Sequence, residues 1–264
     1  MSTPRDVLIR AFERMRNGSI VVLIGWIFLG IVSAALIVMT GRIYEILSYL
    51  KEVYEKTSKL PQDILISSIE ELRGIVSGLL ICFVITIISS IIILVGIRNL
   101  FLPGIKRLTR FKPEFSMSEK LIRIGLFYGM IVLIILEVFN LVVASPETVS
   151  YILLSASIRD FFMIIGFIGL ATLFLKLNSL DKESLYLAAG ILFIIVVLMF
   201  ALDSINNILV FAKIKQYSSM GVEYTYLLII IALIMQTIAL SRTLDKIELG
   251  LISLPLPQET KFGI

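Results

Sequence analysis

Charged residues are spaced along this chain so that they leave long apolar intervals between them. Asn17 to Gly41 lies between Arg16 and Arg42, and Gly74 to Ile97 between Arg73 and Arg98, with no charge inside either. Tyr224 to Ser241, before Arg242, is nearly as clean. Three further intervals are interrupted: Ile124 to Pro146 contains Glu137, Tyr151 to Leu175 contains Arg159 and Asp160, and Ser184 to Asn207 contains Asp203. A helix needs about 20 apolar residues to cross the hydrocarbon core of a bilayer. The pattern therefore predicts an all-α polytopic membrane protein with six transmembrane helices, over 17–41, 74–97, 124–146, 151–175, 184–207 and 224–241.

Lys and Arg are retained on the cytoplasmic side more strongly than acids are excluded from it. With the N-terminus inside, the inner segments hold four basic residues in the arm 1–16, seven in the loop 98–123, two in 176–183 and three in 242–264, against eight elsewhere. This asymmetry predicts a multi-pass plasma-membrane protein with both termini cytoplasmic. Its parts are a cytoplasmic arm 1–16, a six-helix membrane domain 17–241 and a cytoplasmic tail 242–264.

The outer connection 42–73 keeps a helical rhythm, with Ile43, Ile46, Leu47, Leu50, Val53 and Tyr54 before Pro61 and Leu65, Ile69, Leu72 and Val76 after it. Glu52 with Lys56 and Glu55 with Lys59 are (i, i+4) pairs of favourable order. The simplest expectation is a helical hairpin that extends spans one and two beyond the membrane. An amphipathic piece lying on the outer interface is the alternative.

In the inner loop 98–123, Pro103 and Gly104 are expected to end a helix, and Ser116 with Glu119 reads as a capping box opening span three. Lys106, Arg107, Arg110 and Lys112 stand among Phe101, Phe111 and Phe115 as candidate lipid-headgroup or anchor contacts. RNA-binding segments share this interleaving, but an anionic leaflet accounts for it, and no nucleic acid is expected. The small-xxx-small motifs Gly74 to Gly78 and Gly125 to Gly129 are candidate helix-packing positions. They serve seams within one bundle or an interface with a second copy or another membrane protein.

Composition narrows the chemistry. The chain is 58% hydrophobic and 17% charged, with a mean hydropathy of +0.99, too apolar for a soluble domain. His is absent and Cys82 is the single cysteine, so disulfides within the chain and His or Cys metal centres are excluded, and no metal or cofactor is expected. Neither a GxSxG elbow, an HExxH, a P-loop nor a GxGxxG is present. An enzyme is not expected; the three intramembrane acids carry no recognisable aspartyl-dyad signature.

The passage AFERMRNGSIVVLIGWIFLGI, Ala11 to Ile31, joins a charged amphipathic turn and an Arg-Asn-Gly-Ser entry to a glycine-punctuated span. With the six spans, the Ile-rich composition and the lack of His, it resembles a family of uncharacterised polytopic membrane proteins from thermophilic archaea. The resemblance implies a fold and a thermoacidophilic host, and it transfers no functional residue.

Candidate chemistry lies in the interrupted spans. Glu137 is about 20 Å along its span at 1.5 Å per residue, just past the midplane, with Asn140 one turn on; Asp203 and Asn206 repeat that spacing. Arg159 and Asp160 enter at a similar depth from the neighbouring span. Because unpaired charges in a membrane are costly, Arg159 is expected to pair with Glu137 or Asp203. Such a cluster either clips helices together or lines a cavity for a cation, a proton or a polar solute. The overall reading is a non-enzymatic scaffold or accessory subunit, with a small-solute, ion or proton transporter as the alternative. A polar cavity reaching Glu137 is what separates the two.

Overall fold

A computed structural model describes residues 4–142, 148–212 and 222–252. Within them every regular element is helical. α1 runs Pro4–Thr57 and α2 Gln62–Val95, the latter continuing through a π-turn at Gly96–Phe101 into α3, Leu102–Leu108. α4, Phe115–Ile122, passes through a second π-turn at Arg123–Tyr128 into α5, Gly129–Val142. α6 is Thr148–Asp181, α7 Ser184–Phe211 and α8 Val222–Glu248. Six of the resulting rods are long and apolar enough to cross a membrane.

Consecutive rods are neighbours around a closed ring: α1 packs on α2 and α8, α8 on α7, α7 on α6, α6 on α4 and α5, and α5 on α2. The described chain ends meet, since Arg5 donates to the Glu248 carbonyl. An aromatic core fills the ring: Trp26 meets Phe167, which stacks at 5.7 Å on both Phe193 and Phe200, and Phe174 continues to Tyr186. Across the seam between α1 and α8, Gln236 donates to Ser19, which in turn donates to the Met15 carbonyl at 2.9 Å.

Lipid offers helices no hydrophobic contrast, so close backbone approach decides which of them pair. A Cβ on Gly125 would lie 1.9 Å from the Gly166 nitrogen, so the rod containing α4 and α5 crosses α6 where neither chain has a side chain. Gly18 makes a comparable approach to the Phe101 backbone nitrogen, at 2.7 Å, and Gly104 to the Ala11 carbonyl, at 2.8 Å. Of the four glycines singled out in the sequence, Gly129 meets Phe162 and Gly78 meets Met39, while Gly74 faces open space.

Three local expectations are corrected. Pro103 does not end its helix: the preceding π-turn widens the coil before the proline ring, and α3 runs on to Leu108. Ser116 and Glu119 form no capping box. The helix begins at Phe115 with Glu114 in the cap position, so Ser116 is already inside the first turn, and Glu119 pairs with Arg123 instead. Glu55 pairs with Lys51 at 3.8 Å rather than with Lys59, because α1 stops at Thr57 and Ser58 turns left-handed at φ 54. The pair of Lys56 with Glu52 forms, at 2.5 Å.

Candidate functional site

The interrupted spans converge. On α6, Arg159 meets the carboxylate of its own neighbour, its Nε donating to Asp160 Oδ1 at 2.8 Å and its Nη2 lying 2.7 Å from the same oxygen. The Nη2 also lies 3.9 Å from Asp203 Oδ2 on α7. Asp203 in turn takes a side-chain hydrogen bond from Asn207, one turn further along α7. Asp160 is fully buried, and its carboxyl shares a side-chain hydrogen bond with that of Asp203. Asn206 and Asn207 are buried beside Asp203. Asn140 lies on α5, its side chain outside those described.

Glu137 is placed differently. Of the two expected pairings of Arg159 the ion pair formed is with Asp203, with Asp160 added, and Glu137 is in neither. Instead Glu137 and Arg159 both line a cavity of about 500 Å³. Its walls come from five of the six rods. α1 contributes Leu29 to Leu36, α2 Val76 to Thr86, α5 Glu137, α6 Arg159 and α8 Tyr226. Half of the lining residues are aliphatic; Ser33, Thr86 and Tyr226 join the two charges as its polar members. Tyr226 is close enough to feel the charges of Arg159, Asp160, Glu137 and Asp203 together.

The cavity sits in the half of the bundle remote from the chain ends, and the aromatic core closes it from the other half. Tyr226 rests on Trp26 at 5.8 Å, and Trp26 leads into Phe167 and its stacked neighbours. Below that core a second polar group ties the ends of α6, α7 and α8. Tyr186 and Thr243 hydroxyls are 2.8 Å apart, Thr243 donates to Asp181 at 2.5 Å, and Lys246 donates to Asp181 and Glu183 at 3.0 and 3.1 Å. Arg242 adds a bond to Glu183 at 3.1 Å. Burial alone would raise the Glu183 carboxyl, but hydrogen bonds from Lys246 and Arg242 outweigh it and hold it below the ordinary carboxylate range.

At the same end, tight packing of Gly104 on α1 sets the basic residues of α3 against those of the arm. Arg107 Nη1 reaches the Arg10 carbonyl at 3.5 Å, with Arg14 and Arg110 nearby. Lys112 pairs with Glu114 at 3.6 Å, and Lys106 is exposed. No group of three or more His, Cys, Asp or Glu able to hold a metal ion occurs among the described residues.

Sequence reasoning found Glu137, Arg159, Asp160 and Asp203 because a charge inside an apolar interval announces itself. It missed Tyr226, Ser33 and Thr86, which are ordinary residues of spans, and the lower polar group, whose charges flank spans and read as interface residues. No family model, curated protein or solved structure matches this chain.

Proposed function

We propose that this integral membrane protein binds and transports a small polar or charged solute through the cavity that Glu137 lines. The observation that carries the reading is that cavity of about 500 Å³, within the size range of small-molecule sites, reached by a carboxylate and a guanidinium from neighbouring rods. The aromatic core and the lower polar group supply the closed side that a transporter requires, and their opening would complete the path. In this reading the chain ends are cytoplasmic, the protein is non-enzymatic, and the cavity faces outward.

Cysteine labelling tests it. In a Cys82→Ala background, Ser33→Cys should react with a membrane-impermeant maleimide added to the face opposite the termini and not with reagent added to the other face. Ala189→Cys, in the closed core, should react from neither. Failure of Ser33→Cys to label from either side would remove the aqueous path and with it the transport reading.

A second reading, a scaffold or accessory subunit, draws on one observation: Arg159, braced by Asp160 on its own helix, joins α6 to α7 through Asp203, which is what a structural clip does.

A further inference from the structure

We infer that the solute is an organic cation: a protonated amine carrying an apolar body, held by Glu137 against the aliphatic wall of the cavity. The inference rests on the reading of the cavity as a solute site, and three observations narrow its class. The first is charge. Around one guanidinium stand three carboxylates, Asp160, Asp203 and Glu137, and the guanidinium is engaged by the first two. An anion entering the cavity would find Arg159 already engaged by Asp160 and Asp203. A cation would find in Glu137 a carboxyl that lines the cavity and belongs to no Arg159 ion pair.

The second is the wall. Apart from its few polar groups the cavity is lined by leucines, valines and Phe83, which reward burial of hydrocarbon and leave a small hydrated ion without substitutes for its water. Tyr226 and Phe83 also place aromatic rings in the lining, which attract an ammonium group. The third is coordination. Among the described residues no acidic group of three or more is arranged to hold a metal ion, so the acids are not gathered at a single point, as a bare divalent ion would need. An elongated ligand with one positive end fits a site whose charge lies on one side and whose apolar surface lies on the other.

Isothermal titration of the full chain in nanodiscs, against empty nanodiscs, decides the matter with three isosteric probes: 2-phenylethylammonium, phenylacetate and 2-phenylethanol. The expected result is saturable binding of the ammonium, at least about tenfold tighter than the alcohol, with no binding of phenylacetate. Glu137→Gln should abolish that preference for charge while leaving the alcohol's affinity in place. Should phenylacetate bind as tightly as the ammonium, or the alcohol match it, the cation assignment falls and the solute site stands. If none of the three binds saturably, both readings fall. Where Glu137→Gln does not fold, Leu79→Trp, which fills the cavity, must eliminate ammonium binding; retained binding would place the ligand elsewhere and overturn the assignment.

Discussion

At the scale of single residues, the two charges at the cavity have different jobs, and thermal unfolding in nanodiscs separates them. Arg159→Gln leaves Asp160 fully buried beside Asp203 without its cation and should cost about 3–5 kcal/mol. Glu137→Gln removes a carboxylate that belongs to no Arg159 ion pair and should change stability by no more than about 0.5 kcal/mol. Equal and large losses from both variants would make Glu137 part of the clip. Glu183 yields a pH prediction. Its pKa is depressed in the folded chain, so its contribution is present above the ordinary carboxylate pKa of about 4.3 and is lost as pH falls through the lower folded value. The Tm advantage of the native chain over Glu183→Gln should thus hold from pH 7 to about 5 and shrink below 4. Legibility at this scale followed cost. A charge in a membrane span must find company, which made the polar cluster visible, but which carboxylate supplies it depends on side-chain reach. Asp160, adjacent on the same helix, wins a contact that helical spacing alone does not forecast.

Among the elements, helix crossings carry the next prediction. Gly125→Ala pushes a methyl into the Gly166 backbone and should destabilise by about 3 kcal/mol or prevent assembly, because backbone cannot yield as a side chain can. Gly74→Ala meets nothing and should be neutral or stabilising by up to about 1 kcal/mol, the gain in helix propensity. A comparison of the two melting temperatures checks both. In sequence the two motifs, GIVSG and GLFYG, are indistinguishable, since a small residue reveals only that close approach is permitted; Gly166, the partner that makes Gly125 indispensable, shares its span with Gly169 and belongs to no small-xxx-small motif. The same limit explains Pro103. A proline reports a missing donor and a bulky ring, which usually ends a helix, but one π-turn ahead of it absorbs both. Capping signals failed for a different reason: Ser116 and Glu119 have the right spacing, and the helix starts one residue before them.

For the whole molecule, the closed half is held by the aromatic core and by the lower polar group at the ends of α6, α7 and α8. Replacing Arg242 and Lys246 together by Ala strips Glu183 of both its cations and loosens that end. Labelling of Ser33→Cys in this variant should then occur from both faces of the membrane, where the parent labels from one. The number of spans and the all-α class were legible because bilayer thickness imposes a length on every crossing. The ring order was not, since any apolar surface suits lipid and neighbours are chosen by shape. A last consequence belongs to α1. Its 54 residues make a rod about 80 Å long, and the cavity is lined from its middle, at Leu29 to Leu36. From there to Thr57 the rod runs on for some 30–40 Å, long enough to act as a mechanical lever. A tilt of roughly ten degrees at the cavity would swing its tip by about 6 Å, so on the proposed solute reading, occupancy of the cavity would be felt at the far end of the rod.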